Sequence, residues 1–334
     1  MNFNIDKEKF SIIGVDDIFK AESIGKSLSS KERVWKKLKR NKLALGSIII
    51  LIILLPIILT SPFWAIDKTK AKEFAKDNNI ANIEEVSKLT YDTKVLFFAN
   101  HKEKNMPPSF KHWFGTDGMG IDIFKNSFLR GRLSILFGIV CALINVTLGA
   151  IYGGISGYFG GLIDDIMMRI VEILSSIPNI LWVAILVFVV GNSFKSIVIA
   201  MSIMGWTEMA SIIRAQVLNI KEQEFILASE ALGGDYGRVL VIHIIPNVMS
   251  IYISGITCAI PKFIMEEAIL SYLMLGIASP YATLGSVLRE YTMKGNMIFY
   301  PYQILLPSIF LMVIILCFQV FGDALIDALD PKLE

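Results

Sequence analysis

EQEFILASEALGGDYGRVLVIHIIPN, residues 222–247, is a polar, glycine-broken stretch set between long apolar runs. Within it Phe225, Ala228 and Leu232 recur at helical spacing, with Leu227 and Ala231 alongside, while Glu222, Glu224 and Glu230 supply a wet face. Gly233-Gly234 stops that helix, because glycine adopts a positive φ cheaply. Asp235 is placed to cap a following helix. Tyr236 to Ile245 then leads to Pro246-Asn247, which ends or kinks the helix where the next apolar run begins. The pattern is a short amphipathic helix, a sharp turn and a second helix linked rigidly to a membrane span. On pattern alone two readings stay open. Such a piece transmits force from a docked partner, or it only rests on lipid headgroups.

The flanking runs set the fold class. Hydrophobic residues are 54% of the 334 and charged residues 19%, whereas ordinary soluble domains carry about 25% charge. Mean hydropathy is +0.58. The predicted spans are 43–64, 133–158, 162–190, 193–213, 248–275 and 302–320, giving an all-α membrane protein with six transmembrane helices. About 20 apolar residues at 1.5 Å each give roughly 30 Å, the thickness of the hydrocarbon core. The first run is too long for a signal-peptide core and follows a 42-residue polar head, so it reads as a retained span. Before it stand Lys31, Arg33, Lys36, Lys37, Lys39, Arg40 and Lys42, which the positive-inside rule keeps in the cytoplasm. The expected divisions are a cytoplasmic tail (1–42), a first span (43–64), an extracellular loop (65–130), a five-helix core (131–325) containing the cytoplasmic segment 214–247, and a cytoplasmic tail (326–334). Six crossings put both termini in the cytoplasm and the 276–300 loop outside; Arg214, Lys221 and Arg238 agree with the side given to 214–247.

Few residues invite chemistry. Net charge is +2, and nothing suggests nucleic acid. Cys141, Cys258 and Cys317 sit in apolar runs without CxxC spacing, which reads as core packing. His101, His112 and His243 are too scattered for a ligand set, and no metal site is expected. Gly115, Gly118 and Gly120 with Asp117 and Asp122 read as tight turns rather than a DxDxDG calcium loop. Gly25-Lys26-Ser27 ends like a phosphate-binding loop, but Lys20 stands where its first glycine belongs and no strand precedes it. Residues 70–89 have the pattern of a surface helix. Pro178 predicts a kink or break in the third span. Gly149 and Gly153 form GxxxG, which serves packing within one chain or between two. Lys262, Glu266 and Glu267 lie deep in an apolar run. Each charge there costs about 2.5–3.5 kcal/mol, so these groups face protein or water. Lys262 and Glu266, four apart, read as a mutually satisfied pair or as part of a pathway or subunit contact.

A resemblance weights these readings. The 222–247 stretch resembles the EAA loop of ABC-transporter permeases, a pattern of EAA, three residues, G, nine residues and I-x-L-P. Ala228 and Ser229 match its two alanines, Gly233 its glycine, and His243-Ile244-Ile245-Pro246 its closing tetrad. Leu227 stands at the glutamate position, leaving Glu224 or Glu230 as candidate replacements. RNKLAL (40–45), HWFGTD (112–117), GYFGG (157–161), SIPN (176–179), EEAILSYLMLG (266–276) and GDALIDALDPKL (322–333) look like the C permease of oligopeptide, dipeptide and nickel importers. Ile121 departs from the arginine usual in GTDxxGRD, and Thr283-Leu284-Gly285 from Ser-Trp-Gly.

The resemblance implies a type I ABC importer permease fold. It also implies a second permease in a heterodimer, two ATP-binding subunits that hold ATP and magnesium, and an extracellular or periplasmic peptide-binding protein facing 65–130. The chain itself would bind no cofactor and catalyse nothing. Residues 214–247 would be the ATPase-coupling loop. Oligopeptides lead as cargo, with dipeptides or nickel as alternatives. An ATP-independent secondary transporter would show inverted repeats, and none is evident. An intramembrane enzyme would need a motif such as HExxH or GxSxG, and neither occurs.

Overall fold

The computed structural model describes residues 30–65, 103–224, 226, 244–277, 282–293 and 298–329. Among them are ten helices and no strand: α1 (Ser30–Arg40), α2 (Lys42–Trp64), α3 (Ile123–Phe159), α4 (Gly161–Ser175), α5 (Asn179–Val190), α6 (Phe194–Met204), α7 (Thr207–Lys221), α8 (Ile245–Tyr272), α9 (Leu284–Met293) and α10 (Tyr302–Leu329). Five stretches are long and apolar enough to cross a membrane: α2, α3, α6 with α7, α8 and α10. α4 and α5 together pass the same test, but they are bent by 77° at the break between them, the geometry of a broken span or a re-entrant loop. The bend falls at 176–178, where Pro178 leaves helical geometry at φ −52°, ψ 131°, because proline fixes φ and lacks the donor a continuing helix needs.

Helix α3 is the axis of the bundle, and glycines bring its neighbours in. A Cβ on Gly149 would lie 2.6 Å from the Trp206 carbonyl oxygen, and one on Gly157 2.9 Å from that of Arg214. One on Gly153 would overlap the Ala210 carbonyl. The three glycines, four residues apart, seat α7 backbone to backbone. GxxxG thus packs two helices of one chain. Gly138 does the same for α8, its absent Cβ leaving 3.0 Å to the Ile260 carbonyl. Lipid tails are as apolar as leucine, so close van der Waals approach, not water exclusion, holds such helices together. Phe128 of α3 stacks on Phe310 of α10 at 4.5 Å and meets Trp64 of α2 edge-on at 5.7 Å. Cys141 and Cys317 are buried in this core, as small residues.

Several elements differ from the sequence reading, among them α7, which runs to Lys221 where the span was expected to end at 213. α3 begins at Ile123, ten residues before the expected Leu133. Its polar first turns hid it: Asp122 caps Lys125 N at 3.0 Å, and Arg130, 5% exposed, donates to Asn126 Oδ1 at 2.8 Å. The expected 276–300 loop contains α9, which lays Leu284, Gly285, Val287 and Tyr291 against the bundle. Gly285 fits because a Cβ would come 2.6 Å from Ala268 Cα. α10 runs past residue 320 to Leu329, with Ala324 and Ala328 buried under α1. The surface helix read at 70–89 and the Gly25-Lys26-Ser27 fragment lie outside the described residues.

One end of the bundle is capped by 103–122. The expected turns are there, with Gly115 at φ 76° and Gly120 at φ 80°. Asp117 Oδ1 accepts from Met119 N and Ile121 N, at 2.9 and 2.8 Å. Gln303 of α10 donates to the Thr116 carbonyl (3.0 Å) and to Asn105 Oδ1 (2.9 Å). Asn126 donates to the buried Tyr291 hydroxyl at 3.1 Å. Burial pushes that phenol far above its usual range, so it stays protonated.

Candidate coupling site and pathway

The opposite end carries the 222–247 stretch. α7 stops at Lys221, and Glu222, Gln223 and Glu224 are exposed. A turn, Ile226 N to the Gln223 carbonyl at 3.0 Å, folds the chain back. Ile226 is thereby wholly buried, with Val146, Met209, Ile213, Val217 and Ile220. Ile244 enters the same cluster at 2% exposure. Ile226 and Ile244, the described residues on either side of 227–243, therefore meet in one apolar cluster. Ala228, Ser229, Glu230, Gly233 and His243, and with them the expected amphipathic helix and glycine turn, lie outside the described residues. Pro246 is found in the first turn of α8, which starts at Ile245 rather than Val248. Proline suits a first turn, whose N–H groups have no helical acceptor.

A polar clamp ties the floor together. Arg214 of α7 meets Asp164 of α4 with both carboxylate oxygens, Nε–Oδ1 and Nη2–Oδ2 each at 2.5 Å. Ser156 of α3 donates to Asp164 Oδ1 at 2.5 Å. Lys221 donates to the Tyr158 carbonyl at 2.7 Å and lies over its ring. Three helices thus converge on one carboxylate at the base of the segment. Sequence reasoning used Arg214 only for sidedness and missed Asp164. The available signal was an acid in the first turn after Gly160-Gly161, a break in the apolar pattern.

The three charges of α8 do not act as one group. Lys262 pairs with Glu208 of α7 at 2.5 Å, not with Glu266. Glu266 accepts from Asn179 Nδ2 at 3.0 Å, at the start of α5. Glu267 is fully buried: Ser271 donates to Oε1 at 2.5 Å and Ser134 to Oε2 at 3.3 Å, while Leu284 N donates to Ser134 Oγ at 3.1 Å. Glu267 therefore fastens α9 to α3 and α8. The Lys262–Glu208 pair faces outward, its side chains 46% and 67% exposed. It borders a cavity of about 360 Å³ that Asn145, Met209, Ser254 and Cys258 also line. Glu208 falls near the middle of the candidate span formed by α6 and α7, and Lys262 near the middle of α8, away from the ends of both. Glu208 is a second residue the sequence reading missed, because its partner is 54 positions away.

These helices form a membrane-type bundle in which the residues flanking the 227–243 stretch join two of the candidate spans. Residues 134–334 match the family described as binding-protein-dependent transport system inner membrane component, and the chain belongs to that family. Residues 31–82 match the N-terminal TM domain of oligopeptide transport permease C. The chain is similar to the oligopeptide transport system permease protein OppC of Bacillus subtilis (strain 168), 37% identical over 315 residues covering 94% of each chain. It is also similar to the dipeptide transport system permease protein DppC of the same organism, 35% identical over 92% of this chain and 88% of the relative. DppC of Lactococcus lactis subsp. cremoris (strain MG1363) is 35% identical over 98% of both. The resemblance read from the motifs is confirmed, and with it the all-helical type I importer permease fold.

Proposed function

We propose that this chain is one of two permease subunits of an ATP-driven peptide importer of the cytoplasmic membrane. The observation that carries the coupling role is the pair of anchors, Ile226 and Ile244, in the floor formed by α3 and α7. A load on 227–243 reaches α7 through Ile226 and α8 through Ile244, both buried in one apolar cluster. Two ATP-binding subunits, holding ATP and magnesium, dock there through Glu224, Ala228, Ser229, Glu230, Gly233, His243 and Pro246. The permease contributes no catalytic residue. Oligopeptides are the cargo that similarity to OppC supports, and a peptide-binding protein delivers them to the capped end. Both termini lie in the cytoplasm; α1 packing on the last turns of α10 supports placing them on one side.

The second permease covers the face bearing Lys262 and Glu208. A charge pair at core depth has no favourable place against lipid, so protein or a water-filled path lies over it. Reconstitution with candidate ATP-binding subunits tests the whole reading. Ala228→Glu with Gly233→Pro is expected to abolish their binding and peptide uptake while the permease stays in the membrane. Unchanged uptake would refute the coupling role. Uptake competition between peptides of two and of four or more residues separates dipeptide from oligopeptide cargo.

A further inference from the structure

Helix α1 is left over by the transport machinery, and its two faces differ sharply. Val34 and Leu38, four residues apart, bind Ala324 and Ala328 of α10 together with Ala44 and Ile48 of α2. The outward face carries Lys36, Lys39 and Arg40, all exposed, and Trp35, 51% exposed. The sequence SKERVWKKLKR holds six basic residues against one acidic. No carboxylate among the described residues pairs with Lys36, Lys39 or Arg40. Lys39 instead lies 5.1 Å from the Trp35 ring centroid.

The position of this face is fixed. Only Asn41 separates α1 from the first span, and its extended backbone (φ −87°, ψ 105°) turns the chain between the helices. Its Oδ1 accepts from Leu43 N and Ala44 N at 3.1 and 3.2 Å, so the turn is an N-cap and not a loose hinge. The C-terminal end of α1 therefore abuts the first candidate span, at the depth where that span meets the membrane surface. An aromatic ring beside cations, at that depth, matches the headgroup layer: the indole takes the interface and the cations take phosphate.

We propose that α1 is a binding surface for anionic phospholipid headgroups, which occupy Lys36, Lys39 and Arg40 and hold α1 against the end of α10. The ligand class follows from charge complementarity and from the position of α1 beside the lipid surface. An acidic protein partner is the competing occupant.

The test uses the full-length chain with its copurifying subunits, in nanodiscs of phosphatidylcholine containing a trace of spin-labelled phosphatidylglycerol or spin-labelled phosphatidylcholine. The parent is expected to immobilise the anionic label about twofold or more over the neutral one, a preference that shrinks as salt is added. Lys36→Gln with Lys39→Gln and Arg40→Gln brings the ratio to about one, while Lys36→Arg with Lys39→Arg keeps it. Should the triple variant fold poorly, single glutamine variants each lower the ratio in part. Equal immobilisation of both labels by the parent overturns the proposal, as does a triple variant that keeps the preference. A triple variant that loses its copurifying subunits, beside a parent without preference, assigns the face to an acidic protein instead.

Discussion

At the residue scale the decisive groups are buried or half-buried polar side chains whose partners come from other helices. Glu267 has no water to turn to, and hydroxyls of α3 and α8 serve its carboxylate. Glu267→Leu strands those hydroxyls and frees the start of α9, and is expected to cost about 2–4 kcal/mol in unfolding of the purified protein. Glu267→Gln keeps an acceptor and loses less. Asp164 is the matching case at the other end. Asp164→Ala leaves the Arg214 guanidinium unpaired, at a cost of about 3 kcal/mol, whereas Asp164→Leu combined with Arg214→Met is milder. A double-mutant cycle on thermal unfolding measures the coupling. Lys262→Met leaves Glu208 as a lone charge at core depth, worth about 2.5–3.5 kcal/mol. Copurification of the second permease is expected to fall and then recover when Glu208→Gln is added. No recovery would place the pair outside that interface.

At the element scale, helix ends and helix contacts carry the design. α3 and α7 touch backbone to backbone along Gly149, Gly153 and Gly157. Gly154, one position on, faces open space. Gly153→Val is therefore expected to push α7 away and lose both folding and uptake, while Gly154→Ala is neutral in the same assays. Equal damage at both positions would refute the contact role of Gly153, since helix propensity by itself favours alanine over glycine by about 1 kcal/mol. The broken span is a second case. Pro178 lets α4 turn away from α5 by 77°, and the first residue of α5, Asn179, is thereby brought to Glu266. Such an end could be anticipated from proline alone, but its partner on α8 could not.

At the scale of the whole molecule the described bundle has two dressed ends, the 103–122 cap and the apolar floor that holds Ile226 and Ile244. Thiol labelling of intact cells tests the orientation. Ser109→Cys is expected to react from outside, and Lys36→Cys only after permeabilisation; the reverse pattern would invert the topology. Burial of Cys141 and Cys317 keeps their background low. The sequence alone determined the class and the family, because each rests on local signals: run length, proline and glycine punctuation, and motif spacing. It also marked 222–247 as the expected coupling segment, whose central residues lie outside those described. Span limits were less legible where polar residues are buried by tertiary contact, as in the first turns of α3 and in α9. Only the tertiary structure decided the pairings: Lys262 with Glu208, Arg214 with Asp164 and Ser156, and Glu267 with Ser134 and Ser271. The physical reason is that a charge inside a membrane must find a partner, but the partner is set by which helices glycine lets approach. That approach is a property of the folded bundle and is written at no single position in the chain.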